Sequence, residues 1–90
     1  MRFRDIEFRW SPVNNKYELV KWYEAEVDGC NKKKVLCYVI AFFDKTKEGY
    51  DMRTIGDSFF DDKDAFVVGK YALGFLNAIF QIEQEEEELK

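Results

Sequence analysis

The chain has 90 residues and a formal net charge of −4, and 47% of its residues are hydrophobic, including nine Phe, five Tyr and two Trp. This length excludes two independent hydrophobic cores, and this composition excludes an intrinsically disordered chain. The acidic balance argues against a general binder of nucleic acid or of anionic membranes, because such proteins are normally basic.

Residues 2–10 predict the first strand, because apolar and charged side chains alternate there as they do on a half-buried strand. Phe3 is out of phase with this alternation, which indicates a bulge or a frayed start. Pro12, the single proline of the chain, marks the turn that follows. The alternating apolar positions are Ile6, Phe8 and Trp10.

Three further strands are predicted at residues 16–27, 35–43 and 50–55. The second of the four strands has one mainly apolar face, and an Asp28-Gly29 turn carrying three lysines follows it. Residues 35–43 read VLCYVIAFF, and a continuous apolar run of this kind is typical of a central strand covered on both faces.

Residues 61–84 predict one long helix with Asp61 as its N-cap. Polar side chains recur every seven residues on one narrow face, and the apolar arc spans roughly 240°, far wider than the ~100° stripe of a surface helix. One apolar side holds Ala65, Val68, Gly69, Ala72, Leu73, Leu76, Ile79 and Phe80, and the other holds Val67, Tyr71, Phe75, Ala78 and Ile82. The acidic tail at residues 85–90 is expected to fray, because glutamates at a helix C-terminus oppose the helix dipole and repel one another.

The element order predicts a single α+β domain: a four-stranded antiparallel β-meander followed by one long C-terminal helix packed on the sheet. A helix with two apolar sides cannot bury both against one sheet, so we expect a homodimer through the second side. In the alternative arrangement, the N-terminal strand or Phe59-Phe60 folds over that side within the same chain.

No motif in the sequence identifies a chemistry. Histidine, the commonest general base, is absent, and we expect no enzymatic activity, no metal and no cofactor. Cys30 and Cys37 match neither a redox motif nor a zinc site, and we expect both thiols to be reduced. No signal-peptide pattern precedes the first strand, and Lys70 and Asn77 interrupt the longest apolar run, so we expect a soluble cytoplasmic protein.

Two acidic groups and two aromatic residues are the candidate partner-binding residues. Acidic side chains crowd both ends of the predicted helix, where they serve either as solubilising groups or as phosphate mimics for a basic groove. Trp22 and Tyr23 are candidate anchors, since aromatic residues dominate many interfaces; Trp22 alternatively covers the second face of the sheet. The acidic candidates are Asp57, Asp61, Asp62, Asp64, Glu85, Glu86, Glu87 and Glu88.

Residues 37–60, CYVIAFFDKTKEGYDMRTIGDSFF, resemble short proteins encoded by phages and prophages of low-GC bacteria. The shared features are a strand, a charged turn ending in EGY, and a GD-x-F-F step into a helix. This resemblance implies a small inhibitor of a host defence system, of which anti-CRISPR proteins are one class, located in the host cytoplasm. It implies no site residues.

Three functional hypotheses follow. In the first, the chain is a phage-type inhibitor that occludes the basic surface of a host nuclease or other nucleic-acid-binding protein, without binding nucleic acid itself. The second is a structural or assembly homo-oligomer built through the helix. The third is a sponge for a nucleotide signal, with Arg53, Lys70 or the Lys32–Lys34 turn on the phosphate.

Overall fold

The computed structural model describes residues 1–27 and 29–89, and of residues 30 and 31 the backbone alone. The chain forms an α+β fold in which five antiparallel strands pair in sequence order, β1-β2-β3-β4-β5, and one helix follows them. The elements are β1 (Arg2–Phe3), β2 (Ile6–Ser11), β3 (Lys16–Val27), β4 (Cys30–Lys45), β5 (Tyr50–Thr54) and α1 (Lys63–Glu88).

The first predicted strand is in fact two strands. Arg4 adopts a positive φ of 55°, so the chain reverses after Phe3, and Phe3 pairs with Ile6 of β2. The out-of-phase position of Phe3 therefore marks a tight turn. The prediction of four strands was one short.

β3 and β4 pair well beyond the rest of the sheet. β2 covers β3 only as far as Lys21, and β5 covers β4 only from Ala41 onward, whereas the β3–β4 ladder continues to the pairing of Glu26 with Lys33. We call this two-stranded extension, residues 22–27 and 30–38, the arm. It helps to stretch the molecule to 61 × 25 × 20 Å.

The prediction that residues 35–43 are covered on both faces is wrong for their first half. Ile40 and Ala41 are fully buried, but Val35 is 58% and Tyr38 41% exposed. Two neighbouring strands alone cannot cover an apolar run, and the first half of β4 lies in the arm, where the helix does not reach. The predicted turn residue Asp28 lies outside the described residues.

The core lies between α1 and one face of the sheet. Phe59 is buried below the helix, and its ring approaches Gly69 so closely that a Cβ atom there would lie 2.9 Å from it. Asn77 accepts a hydrogen bond from the backbone N–H of Tyr50 at 2.7 Å, which fixes the middle of α1 to the start of β5. The buried helix residues are Ala65, Val68, Gly69, Ala72, Leu76 and Phe80, six of the eight predicted for that side.

Both ends of α1 differ from the prediction. Asp62, not Asp61, is the N-cap, since its carboxylate accepts the N–H groups of Asp64 and Ala65. The helix continues to Glu88 instead of fraying after residue 84. Glutamate has a high intrinsic helix propensity, and extending an existing helix needs no new nucleus; these gains outweigh the unfavourable dipole. Lys90, the last residue of the predicted tail, lies outside the described residues.

By length and composition, α1 is also apolar enough to cross a membrane. One 18-residue window has a mean hydropathy of 1.4, so the expectation that no segment would qualify, which rested on Lys70 and Asn77, is wrong by this measure. A third of that window is buried inside the fold, and the core helix of a soluble protein passes the same test.

Candidate functional site: the outer flank of the helix

The second apolar side of α1 is exposed along its whole length. Tyr71 is 72% and Phe75 57% exposed, and the three other predicted interface residues are exposed as well. We call this set, Val67, Tyr71, Phe75, Ala78 and Ile82, the outer flank. A contiguous apolar surface of this kind is unusual on a monomer and marks an interaction site.

The N-terminus of the chain borders the outer flank without covering it. The turn at Arg4 brings Met1 and Phe3 beside the helix, where both remain about half exposed or more. Met1 and Phe8 line a groove of about 410 Å³ together with Tyr71 and Phe75. The N-terminal residues therefore contact only the edge of the outer flank, and the alternative in which the N-terminal strand covers this side is realised only there. Phe60 is 70% exposed and does not close it either.

Charged side chains border both ends of the outer flank. At the N-terminal end, Lys63 and Lys70 lie near Asp61 and Asp64, and the guanidinium of Arg4 is 3.3 Å from the carboxylate of Asp64. At the C-terminal end lie Glu85–Glu88, and the last turn of α1 holds no basic residue. An α-helix rises ~1.5 Å per residue, so the two ends are ~35 Å apart.

Half of the predicted N-terminal acidic group is paired within the chain: Asp62 with Lys21 and Asp64 with Arg4. Lys21 donates to the Asp62 carboxylate at 2.6 Å. Partial burial alone would raise the pKa of Asp62, but the Lys21 ammonium and the N–H groups of Ala65 and Asp64 lower it overall. Asp57 and Asp61 are exposed. The structure therefore does not bring the two acidic groups together: one lies at each end of α1.

Trp22 and Tyr23 point to opposite faces of β3, so they cannot anchor one flat contact. Trp22 is half-buried on the face away from α1, where its indole N–H donates to Glu7 at 3.2 Å and Arg9 lies over its ring. This is the arrangement in which Trp22 covers the second sheet face. Tyr23 is exposed and packs edge-to-face on Tyr38, at the base of the arm.

Sequence reasoning missed a buried carboxylate, paired with a half-buried arginine, on the same face as Trp22. Glu18 is only 2% exposed and accepts a 2.9 Å bond from Arg9, which also donates to the Cys37 thiol at 3.6 Å. The second carboxylate oxygen of Glu18 has no partner among the described residues. The strand alternation was the available signal, since Glu18 shares its parity with Trp22. Cys37 is a free thiol; the side chain of Cys30 lies outside the described residues.

The basic residues proposed for a nucleotide lie on separate parts of the molecule. Arg53 donates to Asp44 at 2.9 Å, and Arg53 together with Lys16 lowers the pKa of Asp44. Lys70 lies over the ring of Phe66 on α1, and Lys33 lies 3.7 Å from Glu24 in the arm. Among the described residues, no three His, Cys, Asp or Glu side chains are arranged to hold a metal ion.

Comparison with protein-family models, curated proteins and solved structures finds no match. The likeness of residues 37–60 to phage proteins therefore stays a prediction. The site is defined by its own geometry: an exposed apolar flank with charges of both signs at its N-terminal end and glutamates at its C-terminal end.

Proposed function

We propose that this chain is a non-enzymatic interaction protein that binds another protein chain through the outer flank of α1. The observation that carries the proposal is the exposure of the whole flank on a helix whose opposite side has six of its eight residues buried. Burying apolar surface releases about 25 cal/mol per Å², and this flank is the largest such reserve that we identify in the described part of the chain.

The chemistry of the flank supports a protein partner. Its side chains are aromatic, aliphatic or small, and they follow one straight helix, which suits the ridge-and-groove packing of a second helix. The bordering charges are those expected at the polar rim of a protein interface. Among the three functional hypotheses, this proposal is closest to the second, a structural or assembly role.

Site-specific photo-crosslinking tests the proposal directly. A photoreactive residue at position 71 should form protein adducts in cells that make the chain, whereas the same residue at position 60 should form far fewer. Phe60 is the matched control because it is an equally exposed aromatic outside the flank. If position 71 yields no protein adduct, or lipid adducts only, the proposed function is wrong.

A second candidate function is occlusion of a basic surface by the acidic end of α1, as expected of a phage-type inhibitor of a host nuclease. The observation that favours it is that Glu85–Glu88 are held in one exposed helix and lie together beyond the sheet. Complementary charge raises association rates and selects partners. Asp62 and Asp64 already form ion pairs within the chain. Asp57 and Asp61 therefore remain as weaker contributors to binding of a basic partner.

Charge reversal separates this candidate from the first. Glu86→Lys with Glu87→Lys should weaken capture of a basic partner at low salt, and high salt should weaken capture by the unmodified chain, because exposed charge contacts are screened. Asp57→Lys with Asp61→Lys is the matched variant at the other end. If neither double variant changes the capture, the acidic residues only confer solubility.

A further inference from the structure

We infer that the arm binds an extended segment of another protein along the outer edge of β4, and that this added strand runs antiparallel to β4. The inference goes beyond the proposed function, because it concerns a surface separate from the outer flank of α1. Three features of the arm carry it: backbone groups that face an open edge, an apolar stretch without protecting charges, and the lysines that precede this stretch.

β4 lacks a neighbour on its outer side along the arm. β5 covers β4 no further than Ala41. In the described part of the chain, the backbone bond from Ile55 to the carbonyl of Ile40 is the last one beyond that point. Residues 33–39 therefore have β3 on one side and no strand on the other.

The hydrogen-bonding pattern of the sheet identifies the backbone groups that face this open edge. Trp22 donates its backbone N–H to the carbonyl of Asp5 at 2.8 Å, so the backbone of Trp22 points away from β4. Its partner in β4 is Cys37, and in a non-hydrogen-bonded antiparallel pair of this kind both residues point outward. The N–H and C=O groups of Cys37, and those of Val35 two residues earlier, therefore face the open edge, where an added strand can pair with them.

The apolar stretch at residues 35–39 lacks the devices that normally protect a strand edge. Its sequence is VLCYV, without the charged residues or proline that block edge pairing in natural sheets. The β3 edge of the same arm carries Glu24 and Glu26 and is protected in this way. A continuous apolar strand is typical of the inside of a sheet, yet Val35 is 58% exposed, because no second neighbour covers it in the described part of the chain.

The charges of the arm favour an added strand that is acidic beside the arm's tip. Three lysines precede the apolar stretch on β4. Glu24 and Glu26 share one face of the arm with Lys33, which lies 3.7 Å from Glu24. Lys34 lies on the opposite face beside Ala25, and no acidic residue of the described arm shares that face. An acidic side chain of the added strand opposite Lys34 therefore forms a favourable cross-strand pair.

The direction and the source of the added strand follow from the same edge. β5 already pairs antiparallel with the adjoining part of β4, and antiparallel pairing is slightly more stable per residue than parallel pairing. The added strand then runs toward the arm's tip, with apolar residues first and acidic residues last. The β4 edge of a second copy cannot supply this order, because residues 32–43 contain no acidic side chain.

A nuclear magnetic resonance titration with the synthetic peptide VTVYVEE tests the inference. In the antiparallel arrangement its seven residues lie opposite positions 39 to 33 of β4. The signals of residues 33–39 should shift, and hydrogen exchange at the amides of Val35 and Cys37 should slow. The reversed peptide EEVYVTV has the same composition and should bind several-fold more weakly. No shift at millimolar peptide overturns the inference, and equal binding of both peptides overturns the antiparallel direction.

Methylation of the peptide backbone tests the strand pairing itself. The third and fifth residues of VTVYVEE lie opposite Cys37 and Val35, so N-methylation of either one removes a hydrogen bond to β4 and should weaken binding by about tenfold. The N–H of the fourth residue points away from β4, and its methylation is the matched control with little expected effect. Equal losses at the third and fourth residues contradict pairing along this edge.

A pair of proline variants tests the same edge in the protein. Val35→Pro and Glu24→Pro each remove an outward-facing N–H, the first on the β4 edge and the second opposite it on the β3 edge, and proline is tolerated at such edge positions. Thermal unfolding checks that both variants fold. Val35→Pro should lose peptide binding and Glu24→Pro should keep it; the opposite result, or equal binding by both, overturns the choice of edge.

A charge exchange tests the role of Lys34. Lys34→Glu should weaken binding of VTVYVEE several-fold at low salt, because it places like charges opposite one another. The peptide VTVYVKE should restore the affinity for this variant. Failure to recover contradicts the facing of Lys34 and the acidic residue of the added strand.

The remaining outcomes separate this inference from the proposed function. Tyr71→Asp on the outer flank should leave peptide binding unchanged, and Val35→Pro should leave photo-crosslinking at position 71 unchanged. A dimer of the unmodified chain that Val35→Pro returns to the 10.8 kDa monomer would mean that a second copy occupies the β4 edge. That result overturns the inference and leaves the proposed function standing.

Discussion

The two apolar sides of α1 are alike in composition and opposite in environment. The inner side packs on β2, β3 and β5 and on Phe59, and its central residue Leu76 is 2% exposed, whereas Tyr71 on the outer flank is 72% exposed. Gly69 and Gly74 differ in the same way: a Cβ atom at Gly69 would collide with Phe59, whereas one at Gly74 would meet nothing within 4 Å. The comparison teaches that an apolar pattern measures how much surface a helix can bury, while the number of layers in the fold decides how much it does bury. We propose that another chain covers the apolar surface that remains exposed.

The largest expected effect comes from deleting side-chain volume on the two sides. Leu76→Ala should lower the free energy of unfolding by about 3 kcal/mol, because it removes buried methyl groups and leaves a cavity. Ile82→Ala on the outer flank should change it by less than about 0.5 kcal/mol in the monomer. Urea unfolding at concentrations low enough to keep the chain monomeric measures both; equal losses would mean that the outer flank is packed within the chain.

The helix N-terminus gives the next largest effect. Asp62→Asn should cost up to about 1 kcal/mol at pH 7, since it removes the ion pair with Lys21 while Asn still serves as an N-cap. Asp61→Asn, at the exposed neighbour, is the control and should be nearly neutral.

The same pair of variants predicts a pH dependence. The pKa of Asp62 is lower in the folded state, so its contribution is complete above the ordinary carboxyl pKa of about 4 and is lost as the pH falls through the folded-state value. The difference between the Asp62→Asn variant and the unmodified chain should therefore shrink below about pH 4. A difference that stays constant to pH 2 would contradict the ion pair.

The smallest effects come from the two glycines and should have opposite signs. Gly69→Ala should destabilise the monomer by about 1 kcal/mol, because the collision with Phe59 outweighs the gain in helix propensity. Gly74→Ala should stabilise the monomer by about 0.5–1 kcal/mol, because its Cβ enters open space. Thermal unfolding of both variants beside the unmodified chain measures the two changes, and equal losses would contradict the different surroundings of the two glycines.

The sequence was sufficient for the parts of the fold that depend on local pattern. Apolar periodicity located α1 and its buried side to within two residues of eight, and alternation located the strands. The tight turn at Arg4 was not predictable, because it depends on a positive φ that no Gly or Asn announces. The arm was not predictable either, since the extent of strand pairing depends on which neighbours are present.

The candidate site was predictable only in its apolar half. The periodicity of α1 identified the five flank residues directly. The ion pair between Lys21 and Asp62 was not predictable, because the two residues are 41 positions apart in the chain and meet only in the folded structure. The placement of Trp22 over Glu7 likewise depends on the β2–β3 register, which the sequence left open.

Site-specific photo-crosslinking at position 71, with position 60 as the control, tests the central claim most directly. The account predicts protein adducts at position 71 and far fewer at position 60, because Tyr71 and Phe60 are 72% and 70% exposed and only Tyr71 lies on the outer flank. Equal yields of protein adduct at the two positions, or no protein adduct at position 71, would contradict the claim that another protein chain covers the outer flank.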